Sequence, residues 1–177
     1  MANTLIDELD NPFWQFSLKI YQHEGVKEDC LSFQNQEGAN VNLLLLCCWL
    51  ACAVEEISQR EFNEACLLID SWQQHVTQAL RRVRQYLKNA QRTDWVKHFY
   101  QHVLADEISS EAYQQFILYT HFADKQKNKV MFNERLLLAY LHCLFENTKS
   151  TQDENLKLKI HSFTRKVQSI IEQPFCS

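Results

Sequence analysis

Twelve consecutive apolar residues, Leu43 to Val54, constrain the fold of this 177-residue chain more than any other feature. The stretch holds three of the seven cysteines and one of the four tryptophans, and it contains no charge. A membrane-spanning helix needs roughly 20 apolar residues, so this stretch is too short to span a bilayer. Two asparagines precede it and two glutamates follow it. We therefore expect no membrane insertion, but a helix over Asn40–Glu56 that is buried on nearly all sides.

Glycine and proline are scarce, with two of each in the whole chain. Tight hairpins and phosphate-binding loops rely on glycine at positive φ, so this scarcity disfavours a β fold and a nucleotide-binding loop. Apolar residues make up 46% of the sequence, which is enough for a hydrophobic core. The composition predicts an all-α, single-domain bundle of about seven or eight helices, formed by residues 1–177 around the helix at 40–56.

A long amphipathic helix is predicted directly after the apolar stretch. Ser58 and Glu61 match the capping box, in which both side chains bond free N–H groups at a helix start. From Phe62 to Leu87, apolar residues recur every three or four positions, with one break at Gln73. This spacing predicts one helix with a single apolar face.

Shorter helices are predicted in the second half of the chain. One begins at Thr93 and another at the serine pair 109–110. A polar break at 124–129 precedes two further helices, the last of which begins at a second capping box, Thr151 to Glu154. The break predicts a boundary between a core and a C-terminal helical extension over residues 125–177.

Charge and cysteine content indicate the environment of the protein. The net charge is −4 and the isoelectric point is about 6.0, so the chain lacks the basic footprint of a general nucleic-acid binder. The cysteines are odd in number, and the acidic N-terminus shows no signal peptide. Both observations favour reduced thiols in a cytoplasmic protein.

The cysteines of the apolar stretch are predicted to be structural. Cys47, Cys48 and Cys52 lack the paired C-x2-C spacing that is typical of zinc sites. A reactive thiol is expected near a basic side chain or a helix N-terminus, and the helix interior offers neither. We therefore expect buried, reduced thiols.

A histidine pair is the other candidate for a metal site. His98 and His102 share a helix face, and Asp106 lies one turn further on. The zinc-protease motif places a glutamate directly after the first histidine, and here Phe99 follows it. We therefore expect no metal, no other cofactor and no catalytic residue at this helix.

Basic residues recur along the predicted long helix. They lie on the side opposite its apolar stripe, which favours a solvated outer face. The alternative is a patch for an anion or an acidic partner. The residues of this patch are Arg81, Arg84, Lys88 and Arg92.

The N-terminal half carries a distinctive set of aromatic, glycine, cysteine and amide residues: Trp14, Phe16, Tyr21, Gly25, Val26, Cys30, Leu31, Gln34, Gly38, Val41, Asn42 and Trp49. This set resembles the pattern of a bacterial protein family of unknown function that is found mostly in gammaproteobacteria. The resemblance covers residues 11 to about 120, which we define as the family-like core, and it implies an all-helical cytoplasmic protein without implying an activity. The family has an acidic residue at the position of Asn35, so a charge-dependent role of that position does not transfer.

The favoured functional hypothesis is a non-enzymatic adaptor that binds helices of a protein partner in apolar grooves, like a secretion chaperone by analogy. It rests on the absence of catalytic motifs from the sequence and on the many apolar residues in the last two predicted helices. The alternative is that those helices simply complete the bundle. The predicted partner-binding residues are Leu137, Leu141, Phe145, Ile160, Phe163 and Val167.

Two other function classes remain open from the sequence. One is a small-ligand-binding protein or enzyme with a pocket near Trp14, Tyr21, Asn42 and Trp49, where aromatic rings and a side-chain amide come together. The other is a regulator that contacts nucleic acid through the basic residues, although the acidic net charge disfavours it. An exposed apolar groove would favour the adaptor, and a polar-floored pocket would favour ligand binding.

Overall fold

The computed structural model describes residues 8–90, 93–128, 131–148 and 153–172, and these residues are almost entirely helical. A π-helical turn, Gln73–Thr77, joins α4 directly to α5, so the described residues contain seven separate helices. The predicted all-α class is confirmed. The helices are α1 (Pro12–Tyr21), α2 (Glu24–Glu37), α3 (Val41–Ala53), α4 (Gln59–Trp72), α5 (Gln78–Asn89), α6 (Asp94–His121), α7 (Glu134–Glu146) and α8 (Glu154–Ile171).

The apolar stretch forms α3 at the centre of the bundle. Every residue of α3 from Asn42 to Ala53 is buried, as the sequence predicts. The other helices pack around it, because α3 has no polar face that could be exposed to water. None of the helices in the described ranges has the length and apolar character that crossing a bilayer requires.

The backbone groups at the two ends of α3 have no partners within the helix, and both ends are capped. At the start, the Asn40 side chain accepts a hydrogen bond from the Asn42 N–H at 2.8 Å. At the end, the carbonyls of residues 51–53 accept bonds of 2.8–3.1 Å from the N–H groups of Lys127, Met131 and Asn133. The predicted boundary at 124–129 therefore supplies part of the cap of the central helix.

The last two helices complete the hydrophobic core. Phe33 of α2 contacts Phe145 of α7 at 5.0 Å and Phe163 of α8 at 5.7 Å between ring centroids. These residues belong to one core cluster that runs from Phe13 to Ile170. The prediction of a partner surface on these side chains is corrected, because each has 0% exposure: Leu137, Leu141, Phe145, Ile160, Phe163 and Val167.

The π-helical turn changes which face of the long helix points inward. A π turn adds one residue to a helical turn and rotates the following helix by about 100°. As a result Thr77 is buried, whereas Val83, which the sequence pattern places on the apolar face, is 44% exposed. The turn begins at Gln73, where the apolar spacing breaks. The prediction of one continuous apolar face therefore fails at Val83, although Leu87, the last residue of the predicted face, is buried.

The two helices predicted around residues 93–122 are one helix of 28 residues, α6. Thr93 caps it as predicted, by accepting a bond from the Val96 N–H. The serine pair does not begin a new helix. Ser109 and Ser110 instead donate their hydroxyls to the carbonyls of Ala105 and Glu107 at 2.9 and 2.8 Å. Serine can satisfy its hydroxyl on the preceding turn in this way without ending the helix.

Trp49 is predicted to be a principal packing residue of α3. Its ring lies 5.9 Å from Phe13 and 5.3 Å from Phe16, and its Nε1–H has no partner among the described residues. We expect Trp49→Ala to lower the free energy of unfolding by roughly 3–5 kcal/mol because it opens a cavity. Trp49→Phe should cost much less, since it keeps a ring and removes the unpaired N–H. Urea titrations of both variants test this, and equal losses would contradict it.

Glu61 links the start of α4 to the segment after α6, and this link predicts an acid-sensitive contribution to stability. Bonds from Lys125 and Ser58 lower its pKa from 4.5 to about 2. A carboxylate with a lowered pKa in the folded state stabilises the fold above about pH 4.5 and loses this effect as pH falls towards 2. The unfolding free energy of Glu61→Gln should therefore fall less between pH 5 and 2 than that of the wild type. Glu64→Gln, one turn later, is the matched control.

Candidate binding site

Six buried polar residues form a polar layer inside the bundle, beside the start of α3. They come from α3, the π-helical turn and α6. Buried polar groups are costly unless they are hydrogen-bonded, so their bonds to one another decide whether the layer is stable. The members of the polar layer are Asn42, Thr77, Glu107, Ser110, Gln114 and Gln115.

Gln114 is the centre of the polar layer. Its Oε1 accepts bonds from the side-chain amides of Asn40 and Asn42 at 3.3 and 3.2 Å. Its Nε2 donates to Gln73 Oε1 at 2.8 Å and to Thr77 Oγ1 at 2.6 Å. One glutamine on α6 therefore connects the start of α3 to the π-helical turn.

The layer continues from this centre in two directions. Towards α3, Gln115 donates to Asn42 Oδ1 at 2.8 Å, while Gln115 Oε1 has no partner among the described residues. Towards the π-helical turn, the hydroxyl oxygens of Ser110 and Thr77 lie 3.0 Å apart, within hydrogen-bond distance. The amide of Asn42, whose place at the head of an apolar helix is unusual in the sequence, is thus held by two glutamines of α6.

An ion cluster borders the polar layer and consists of Arg81 and Arg84 on α5 with Glu107 and Glu111 on α6. Arg81 donates from Nε to Glu107 at 2.9 Å and from Nη2 to Glu111 at 2.7 Å. Arg84 donates to both carboxylate oxygens of Glu107. The Glu107 side chain is 5% exposed and that of Glu111 is 29% exposed. Burial raises the pKa of Glu111, and the nearby Arg81 partly opposes this rise.

A pocket of about 370 Å³, here named the inner cavity, lies between α1, α2, α3, α5 and α6 and opens to solvent beside Leu18 and Leu31, which are 40% and 38% exposed. Its polar wall contains the ion cluster, the amides of Asn42 and Gln115, and the phenol of Tyr21. This combination of an apolar wall and a few convergent polar groups is typical of small-ligand sites. The apolar wall is formed by Trp14, Leu18, Leu31, Leu45, Leu104 and Ile108.

A second and larger space, the outer groove, measures about 680 Å³ and lies between the α2–α3 turn, α4 and the end of α7. It shares Gln34 and Arg81 with the inner cavity. Its other polar groups are mostly side-chain amides and a carboxylate, such as those of the half-buried Asn63 and the exposed Asp70. We consider the inner cavity the better candidate site because it contains the buried charges.

The structure corrects the predicted position of the basic residues. Arg81 and Arg84 are not on the outer face but point to α6, where both are paired with carboxylates. The rotation at the π-helical turn explains this, since it brings their side of α5 inward. Lys88 is exposed at the end of α5. Arg92 lies outside the described residues.

The histidine pair lies on the exposed first half of α6. His98 Nδ1 is 2.9 Å from the Asp94 carbonyl oxygen, and the side chains of His102 and Asp106 are exposed. No group of three or more histidine, cysteine or acidic residues in the described ranges is arranged to hold a metal ion.

The cysteines of α3 are buried, and burial raises the pKa of the Cys47 and Cys48 thiols well above 9. Burial also raises the pKa of Cys52 to about 12. These groups are therefore poor nucleophiles, because the thiolate is the reactive form.

The sequence predicted part of the inner cavity. Trp14, Tyr21 and Asn42, three of the four residues of the predicted pocket, line it, whereas Trp49 packs in the core instead. Sequence reasoning missed the α6 contribution. A polar stripe at helical spacing, Glu107, Ser110 or Glu111, and Gln114, is visible in the sequence, but dividing this segment into two helices hides it.

Gln114 is expected to contribute to stability through its four hydrogen bonds. Gln114→Met keeps a similar shape and leaves buried polar groups of Asn42 and Thr77 with fewer partners, at roughly 1–3 kcal/mol for each group left unsatisfied. We expect a loss of about 2–4 kcal/mol in urea unfolding. The control is Gln101→Met at an exposed position of the same helix. Equal stability of the two variants would show that the polar layer is not required for folding.

The comparisons with known proteins give one match. A family model described as "Protein of unknown function (DUF2390)" matches residues 12–118. No curated protein and no solved structure matches the chain.

Proposed function

The chain belongs to the family of proteins of unknown function DUF2390, whose model covers more than half of its length, and we propose that it binds a small amphipathic molecule in the inner cavity. The observation that carries the proposal is the composition of the cavity wall. Apolar side chains form one side, and a hydrogen-bonded polar layer with four charged side chains borders the other. The volume of about 370 Å³ lies in the usual range for small-ligand sites, roughly 300–1,000 Å³.

The polar layer supports this proposal because it holds the site in one arrangement. Gln114 fixes α6 against α3 and the π-helical turn, and the ion cluster fixes α6 against α5. A binding site gains affinity when its polar groups are already positioned before the ligand arrives. π-Helical turns are also frequently found at functional sites.

We propose binding rather than catalysis. Both carboxylates of the cavity are engaged by guanidinium groups, with Glu107 accepting from two arginines. The guanidinium groups occupy both carboxylate oxygens of Glu107, which leaves neither free to contact a substrate as a general base. We also propose a cytoplasmic location, since a reducing compartment suits the buried thiols of α3.

Nile red, a neutral dye whose fluorescence rises in apolar surroundings, tests for a ligand site in the inner cavity. The wild type should bind it, and Leu31→Trp, which enlarges a side chain of the cavity wall, should weaken binding at least tenfold, or about 1.4 kcal/mol. Leu68→Trp places the same side chain on α4, away from both the cavity and the groove, and should bind like the wild type. Equal binding by both variants, or none by the wild type, would contradict the proposal.

A second candidate function is protein interaction through the start of α6. Trp95 and Phe99 stack with their ring centroids 5.3 Å apart and are 71% and 41% exposed. Exposed aromatic residues one helical turn apart are typical anchors for an apolar groove on a partner. This surface would serve the adaptor role in place of the C-terminal helices, whose predicted partner-binding side chains are buried.

Affinity purification from the native host distinguishes the two candidate functions. An adaptor that uses this surface should lose a specific partner in Trp95→Ser and keep it in Leu31→Trp. A partner set that is unchanged by Trp95→Ser would exclude this surface as an interface.

A further inference from the structure

The inner cavity contains four charged side chains whose formal charges sum to zero, two from arginine and two from glutamate. They are not equivalent. Glu107 is nearly inaccessible and accepts bonds from both arginines, whereas Glu111 is 29% exposed and accepts from Arg81 Nη2. Glu111 is therefore the more weakly held of the two carboxylates.

Glu111 is also the member of the ion cluster whose charge is most easily removed. An arginine side chain does not lose its proton in proteins, so Arg81 and Arg84 stay charged. The charged and titratable groups around Glu111 are these two arginines of α5, Glu107 one turn earlier on α6, and Tyr21 of α1. Asn42 and Gln115, the nearest members of the polar layer in the cavity, are uncharged. Burial of Glu111 raises its pKa, which favours the neutral form.

We propose that the ligand of the inner cavity is an organic monocarboxylate whose carboxylate replaces Glu111 as the partner of Arg81, while Glu111 takes up one proton. This inference rests on the proposed function of the cavity. The exchange is balanced in charge, since one anion and one proton enter and the sum of charges in the cavity stays at zero. An anion that entered without the proton would leave a net negative charge in a partly buried site, which is unfavourable.

The guanidinium geometry favours a carboxylate. Arginine has five N–H donors in a planar arrangement that matches the two oxygens of a carboxylate. Arg81 holds Glu107 through Nε at 2.9 Å, so its Nη2, which now bonds Glu111 at 2.7 Å, is the donor that becomes available. Glu107 would keep Arg81 in place during the exchange.

The other ligand classes fit the ion cluster less well. A cationic ligand would have to compete with two permanently charged arginines for the carboxylates. A doubly charged phosphate would need the uptake of two protons for neutrality, and one exchangeable carboxylate can take up only one. The apolar wall of Trp14, Leu31 and Leu104, among others, favours an organic body behind the carboxylate.

The test uses octanoate and octan-1-ol, which differ only in the head group, in isothermal titration calorimetry of the full chain. Octanoate should bind at least tenfold more tightly than octan-1-ol. Titrations at pH 7 in phosphate and in Tris, which differ in ionisation enthalpy, should show proton uptake of up to one per site. Octanoate itself stays ionised between pH 6 and 8, because the pKa of a carboxyl is about 4–5.

The pH dependence follows from the direction of proton transfer. Because a proton enters with the ligand, octanoate affinity should fall as pH rises from 6 to 8, by at most tenfold per pH unit, the limit for one proton. Glu111→Gln removes the competing carboxylate, so it should bind octanoate at least as tightly as the wild type, without proton uptake and without this pH dependence. Asp106→Asn removes an exposed acid of the same helix and should behave like the wild type.

Arg81→Lys should reduce the preference for octanoate over octan-1-ol, because a lysine cannot hold Glu107 and the ligand in the same planar arrangement. If Arg81→Lys does not fold, octanoate binding by Glu111→Gln alone tests the inference. The inference is overturned if octan-1-ol binds as tightly as octanoate, or if Glu111→Gln weakens octanoate binding.

These outcomes also separate this inference from the proposed function. The wild type could bind Nile red and octan-1-ol without a preference for octanoate, and Leu31→Trp could block this binding. That result would support a ligand cavity and overturn only the carboxylate inference. Absence of binding by all three probes would overturn both.

Discussion

The central helix α3 imposes the main constraint on this structure, because its last residues, Ala51 to Ala53, are buried together with its sides. A helix leaves N–H groups unpaired at its start and carbonyls unpaired at its end, and in a bundle interior water cannot satisfy them. Here Asn40 bonds the first turn, and the N–H groups of Lys127, Met131 and Asn133 bond the last carbonyls. The position of the polar break near residue 125 therefore depends on the end of a helix that lies about 70 residues earlier in the sequence.

The same constraint explains the polar layer. Asn42 is buried in the first turn of α3, and its side-chain amide needs a donor and an acceptor. Gln114 and Gln115 provide them from α6. A glutamine bonded in this way carries further polar atoms into the interior, and these atoms need Gln73 and Thr77 in turn. Burial of the Asn42 amide thus requires the two glutamines of α6, and burial of Gln114 in turn requires Gln73 and Thr77.

Local sequence signals predicted those parts of the fold that depend on local interactions. The apolar stretch, the capping box at Ser58 and the cap at Thr93 form as expected, because each depends on residues within a few positions of one another. The π-helical turn could not be predicted from a regular spacing of 3.6 residues. Its only local trace is the break at Gln73, and its cause is tertiary, since Gln73 and Thr77 both bond Gln114.

The candidate site was predictable to a similar extent. Trp14, Tyr21 and Asn42 share the N-terminal part of the chain, and their clustering is visible in the sequence. The pairing of Arg81 with Glu107 and Glu111 depends on the π-helical turn, which rotates α5 by about 100° and makes an outer basic face an inner one. Without that rotation, the basic residues of α5 would lie on its outer face, as the sequence pattern predicts.

The positions of the cavity-lining residues and of the C-terminal helices in the chain support ligand binding over interaction through the C-terminal helices. All residues that line the inner cavity lie between Trp14 and Gln115, inside the segment 12–118 that the family model matches. The helices α7 and α8 lie outside this segment and contribute buried apolar side chains to the common core. The charged side chains of the inner cavity thus lie in the segment that the family model matches. The C-terminal part covers the central helix, so the end of the family match near residue 118 is a boundary in sequence and not in the core.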